Sequence, residues 1–290
     1  RIVELLGPPA LRLDGDAPPA RRDAQDYAER RLADILPDQA AAQRLAARIL
    51  LAGGGNLLYA RYVLDDLAAR PGAWAAGPER PLPQGLDGVY RQLIEGELAR
   101  SGERWTERYG PLLGLLAAAR SPGLTREHLA AASGVSLCKT DDALAALGPF
   151  LSGPRPEGPF MLYHASFGEF LLRDAQYRVY PGEAEQALGE LFVQAYGEDW
   201  AACGDDYALQ RAPLHLARAA QALTHPLQRA AQRRLREALG RVLLDYGWMQ
   251  GRLHRAGIHA LLADLALAPP DESDPARKVG RALEESAAVL

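Results

Sequence analysis

The sequence predicts a mainly α chain carrying one small β-hairpin near its middle, and three observations support that reading. Apolar residues recur at three- to four-residue spacing along most of the length, as on amphipathic helices. Clusters of Gly and Pro cut these stripes into helix-sized pieces. Between Leu124 and Leu172 the pattern changes: two short capped stripes precede two brief apolar runs around a Gly- and Pro-rich turn. With 290 residues, 48% of them hydrophobic, the chain can bury real cores and should hold two or three compact units.

In order, Arg1 to Leu6 is an apolar run ended by Gly7-Pro8-Pro9 and reads as one strand, which cannot be stable without a sheet. From Asp23, the residues Tyr27, Leu32, Ile35 and Leu36, then Leu45, Ile49 and Leu50, mark two helices that break at Pro37. The run Gly53-Gly54-Gly55-Asn56 interrupts, and Leu57, Leu58, Tyr62, Val63 and Leu67 resume the stripe up to Arg70-Pro71-Gly72. Pro71 to Gly85 reads as a linker, with helices over Leu86 to Ala99 and Trp105 to Ala119.

Thr125 is placed to cap a helix that stops at Gly134, and Thr140-Asp141-Asp142 to start a second carrying Leu144 and Leu147. Phe150-Leu151-Ser152, a turn over Gly153 to Gly158, and Phe160 to Tyr163 then form a hairpin. Two short helices followed by a hairpin is the winged-helix arrangement. Beyond Pro181-Gly182 helical stripes return at Leu188, Leu191, Phe192 and Tyr196, at Leu209, Leu214 and Leu216, and from Leu227 onward. The expected organisation is a strand, first helical domain and linker over 1–85, a winged helix over 86–180 and a C-terminal helical domain over 181–290.

Composition sets limits on function. A net charge of −4 supplies no global pull toward nucleic acid or an anionic membrane. Cys138 and Cys203 stand alone without a CxxC pair, so neither a zinc site nor a disulfide framework is expected, and a reducing cytoplasm is the natural compartment. No apolar run approaches the roughly 18 residues of a membrane helix, and there is no leader pattern. The missing initiator Met points to a piece of something longer.

Self-contained chemistry is not written in either. There is no GxxxxGK loop ending in Ser or Thr, Glu127-His128 is not part of an HExxH, and Ser166 is not in a GxSxG elbow. Asp65-Asp66, Asp141-Asp142 and Asp205-Asp206 are adjacent pairs whose side chains diverge on a helix, which suits caps or solvated faces. Arg229, Arg233, Arg234, Arg236 and Arg241 make one basic helix, read as a solvated or partner-facing surface. The expected reading helix of the winged helix begins with two aspartates, which DNA phosphates repel.

The strongest local signal is Leu162-Tyr163-His164-Ala165-Ser166-Phe167-Gly168-Glu169-Phe170-Leu171. Ser166 with Glu169 three residues on reads as a capping box, which sets His164 just ahead of a helix N-terminus. There the imidazole either ends a wing strand and bonds to backbone, or helps hold an anion such as a nucleotide phosphate. Gly53-Gly54-Gly55-Asn56 reads as a glycine helix stop followed by a new helix.

These stretches resemble, in chain order, segments of the signal-transduction ATPases of the NACHT/NB-ARC (STAND) kind. His164, Ser166, Phe167, Glu169, Phe170 and Leu171 match an HxSFxEFL-type motif that closes the winged helix, whose histidine reaches bound ADP and locks the inactive state. Gly54 to Ala60 is similar to a GGNFLYA or GNPL stretch near the adenine, which implies nucleotide contacts for Asn56 and Leu57. Leu82 to Tyr90 looks like an LPxGLxxxY segment, Tyr207-Ala208-Leu209 with Pro213-Leu214-His215-Leu216 like YAL…PxHL, and Leu244 to Gln250 like helices that precede WD-type repeats. The resemblance implies a regulatory segment, not itself an enzyme, that senses ADP or ATP through a nucleotide-binding core outside this chain. Its partners would be that upstream core, downstream repeats and, on activation, further copies of itself. A passive helical adaptor and, further off, a winged-helix DNA binder are the competing readings.

Overall fold

The computed structural model describes residues 18–69, 81–102, 104–154 and 156–287. The strand expected at Arg1 to Leu6 and most of the linker after Arg70 lie outside them. The chain divides into two compact units, residues 1–100 and 101–290. Among the described residues the fold is mainly helical, with a single two-stranded antiparallel sheet.

The first unit contains α1 (Pro18–Ala33), α2 (Gln39–Ala52), α3 (Leu57–Ala69) and α4 (Gly85–Ser101). Asp38 caps α2 by accepting the Ala40 amide at 2.9 Å. Leu32, Leu45, Ile49, Tyr59, Val63, Leu64 and Leu67 form its core, with Tyr27, Ile35 and Leu36 packed at the edge. Leu82 joins the same core, and the Tyr59 hydroxyl donates to the Pro83 carbonyl at 2.5 Å. The chain beyond the linker therefore returns to the first unit. There Tyr90 on α4 meets Tyr62 on α3 edge to face, centroids 6.2 Å apart.

The second unit opens with α5 (Tyr109–Ala118), whose Leu112, Leu113, Leu115 and Leu116 are all buried. Then follow α6 (Arg126–Ser133), α7 (Leu137–Ala146), β1 (Leu151–Ser152), β2 (Met161–Leu162) and α8 (Ala165–Arg173). Thr125 caps α6 by accepting the His128 amide at 3.2 Å, and Gly134 ends it in the left-handed region at φ 71°. In the hairpin Leu151 pairs with Leu162 and Ser152 with Met161. Leu124 adds a bridge to Phe160, so the segment before α6 closes onto the wing. Helix pair and hairpin give the expected winged-helix arrangement, with Phe150, Phe167 and Phe170 in contact beneath it.

The second helix differs from expectation at its start. α7 begins at Leu137 after Ser136, three residues before Thr140, which lies inside the helix and fully buried. Asp141 and Asp142 are thus not caps; they reach Arg126 at 3.2 Å and Arg108 at 3.8 Å. The hydrophobic requirement won over the cap signal, because starting at Leu137 lets Thr140, Ala143 and Leu144 share the buried side.

The remaining helices are α9 (Pro181–Tyr196), α10 (Asp206–Ala222), α11 (Arg229–Leu243), α12 (Tyr246–Leu265) and α13 (Pro275–Ala287). α9, α10 and α11 pack in sequence, and Trp248 of α12 is fully buried, its indole N–H donating to the Leu209 carbonyl at 2.9 Å. α12 is two helices joined at Gly257, whose φ of 77° no β-carbon-bearing residue adopts readily. Arg252 and Asp264 pair across that break at 2.6 Å.

Candidate functional site

His164 itself is the N-cap of α8. Its extended backbone (φ −135°, ψ 140°) turns Nδ1 back to accept the Ser166 amide at 3.2 Å, with the Ser166 hydroxyl 2.7 Å from the same nitrogen. This corrects the expected Ser166–Glu169 capping box. Ser166 occupies the second helical position, two residues too deep to cap, and the imidazole takes the role expected of the serine oxygen. Glu169 lies exposed within the helix.

The cap has a chemical consequence. A nitrogen that accepts an amide proton carries none of its own, so the neutral ring is held with its proton on Nε2. His164 is exposed, and it stands at the end of α8 that carries the helix's partial positive charge. The arrangement suits donation to an anion; it does not suit a general base working through Nδ1.

Asn56 and Leu57 belong to the first unit. Asn56 Oδ1 accepts the Tyr59 amide at 3.1 Å and its carbonyl accepts the Ala60 amide, so Asn56 caps α3. The glycines before it end α2: the Gly55 amide reaches back to the Leu50 carbonyl at 2.8 Å, and Gly54 and Gly55 have φ of 61° and 79°. A β-carbon on Gly53 would run into the Tyr59 ring. The run therefore is the helix stop and restart read from its glycines. Leu57 stands 52% exposed at the first turn of α3, with its side chain outside the core.

A second constellation lies in the interior of the second unit and involves residues that sequence reasoning did not join. Glu185 on α9 is bonded to His215 Nδ1 on α10, and its other oxygen accepts from the Arg120 guanidinium at 3.0 Å. His215 Nε2 faces the Tyr207 hydroxyl at 3.0 Å, which in turn accepts the Arg120 backbone amide at 3.1 Å. Beside it His128 Nε2 meets Asp205 Oδ2 at 2.6 Å, while Asp205 Oδ1 caps α10 through the Tyr207 and Ala208 amides. Phe192 packs against His128, Tyr207 and His215, closing the cluster.

Carboxylate, imidazole and hydroxyl in a row resemble a nucleophile relay in connectivity alone. Burial drives the Tyr207 pKa up to about 12, the opposite of activation, and His215 and Tyr207 are 0% and 4% exposed. Burial also raises the Cys203 thiol, so it is no better a nucleophile. For Asp205 burial pushes upward, but the His128 hydrogen bond and the two amides outweigh it and hold the carboxyl below its ordinary range. The cluster therefore acts as a polar clamp. It ties Arg120 and α6, at the start of the winged helix, to α9 and α10 of the C-terminal helices.

The signals for this clamp were partial. His215 and Tyr207 lie in the YAL…PxHL stretch, whereas Glu185 shows only as an acid on the otherwise apolar stripe of Leu188 and Phe192. A carboxylate at such a position needs a buried cation or donor, and that was the available clue. Neither protein-family models, nor characterised proteins, nor solved structures give a match to this chain. Among the described residues no helix is long and apolar enough to cross a membrane, and no group of three or more acidic, His or Cys residues is arranged to hold a metal.

Proposed function

We propose that this chain is the regulatory segment of a STAND-type ATP-binding switch in the cytoplasm, sensing ADP or ATP held by a nucleotide-binding core outside these residues. The observation that carries the reading is His164: its Nδ1 is committed to the α8 cap, which leaves the Nε2–H as an outward donor at a helix N-terminus. A phosphate oxygen of ADP is the ligand such a donor suits. The ordered series of motif resemblances supplies the class.

The clamp supports the mechanical half of the proposal. With Arg120, Glu185, His215 and Tyr207 bonded together, the winged helix and the C-terminal helices should move as one body. Nucleotide exchange that releases His164 would then release that body and permit self-association, a two-state change biased by differential binding.

The test is nucleotide content and assembly state in the polypeptide that joins this chain to its core. Unaltered protein should purify as a monomer with bound ADP; His164→Ala should lose ADP and self-associate. Equal ADP content and equal mass for both proteins would remove His164 from the mechanism. A polypeptide with no nucleotide in either form would favour the passive adaptor.

A further inference from the structure

We propose that the exposed face of α11 is a docking surface for an acidic helix of a partner protein. Its other face is spent on the core: Leu235, Leu239, Val242 and Leu243 are buried. On the outer side Arg229, Arg233 and Arg236 follow one another at i, i+4 and i+7 and form one row. Arg234 and Arg241, seven apart, form a second row, with Ala230 and Glu237 lying between the two.

All five arginines are exposed, and none has an ion pair or hydrogen bond among the described residues. That contrasts with Arg31, Arg108, Arg120, Arg126, Arg252 and Arg255, each paired with a carboxylate. The row also sets Arg229 against Arg233 and Arg233 against Arg236 at spacings where like charges destabilise a helix. One helix carrying five Arg and one Glu in a chain of net charge −4 is therefore a local concentration of uncompensated charge.

The shape of the surface selects the occupant. The small side chain of Ala230 lies low between the rows, so a second helix can approach closely there and set carboxylates against both. A nucleic acid or an anionic membrane would press phosphates onto Glu237 in the centre and meet the negative charge of the rest of the molecule at longer range. A partner helix avoids Glu237 by carrying a neutral or basic residue opposite it.

The experiment titrates the 290-residue chain with a labelled Ala/Glu peptide of about 20 residues, long enough to be helical, at low and physiological salt. Binding should weaken at least tenfold in the triple variant Arg229→Gln, Arg233→Gln, Arg236→Gln. It should weaken several-fold in Ala230→Leu, which keeps every charge and fills the space between the rows. Circular dichroism checks that both variants keep the helical fold; these positions are exposed. No binding by the unaltered chain would overturn the proposal, as would equal binding by Ala230→Leu. So would tighter binding to a DNA duplex or to phosphatidylserine vesicles than to the peptide.

Discussion

Replacing Glu185 with Leu deletes the acceptor shared by His215 and Arg120, and the structure sets the size of the loss. His215 is 0% exposed, so the imidazole left behind cannot recover its hydrogen bond from water, whereas the Arg120 side chain is 28% exposed and partly can. Breaking a buried pair by removing one partner costs about 3–5 kcal/mol, the upper end applying when the remaining group stays charged. Arg120 retains the Ala118 and Ala119 carbonyls as partners, which points to the lower half of that range. Glu185→Gln keeps the shape and one acceptor and should cost about 1–3 kcal/mol. Urea unfolding followed by tryptophan fluorescence reads the change, since three of the four tryptophans, Trp105, Trp200 and Trp248, lie in the second unit. At a slope near 3 kcal/mol per molar, the Leu variant should lower that unit's midpoint by roughly 1 M. A double-mutant cycle with His215→Leu should give a coupling energy of at least about 1 kcal/mol. A shift under about 0.3 M with additive single variants would refute the clamp. Separate melting of the winged helix and the C-terminal helices in the unaltered chain would refute it equally.

Further consequences follow from the same structure. Burial lifts Tyr59 and Tyr207 from about 10 to about 12. Stability from these neutral phenols is complete below about pH 10 and is lost between about pH 10 and 12, up to about 2.7 kcal/mol for each. Tyr207→Phe should therefore flatten the alkaline limb of the stability curve, and an unchanged limb would contradict the assignment. Asp205 is held below its ordinary range, so its contribution is present above pH ~4 and fades as pH falls through the native value. Asp205→Asn should thus flatten the acid limb of urea midpoints measured against pH. Gly53→Ala forces a β-carbon into the Tyr59 ring and should destabilise the first unit by about 1–3 kcal/mol, read as a lower melting temperature.

How far the sequence could be read depends on which forces are periodic. Apolar spacing located the helices of both units, and the Gly134 stop and the hairpin between Leu151 and Leu162 followed from turn chemistry. Local caps were less legible, because Thr140 and Ser166 have the right chemistry at positions that core packing draws inside a helix. No local rule marks a histidine as an N-cap, so the role of His164 needed the backbone. The clamp was hidden for a different reason: Glu185 and His215 are 30 residues apart, and His128 and Asp205 are 77 apart. Such partners are joined only by how α9 and α10 pack against the winged helix. The Gly53–Asn56 run shows the opposite case: its glycines announced a helix stop and a new helix, and the structure has both, with Asn56 as a cap that the sequence reading did not name.

The proposed contact between His164 Nε2 and ADP in the closed state is tested most directly by the release rate of labelled ADP from the polypeptide carrying this chain and its core. Losing one hydrogen bond to a charged group, about 1.5–3 kcal/mol, should speed release roughly 10- to 100-fold in His164→Ala. Equal release rates from His164→Ala and the unaltered protein would contradict the account.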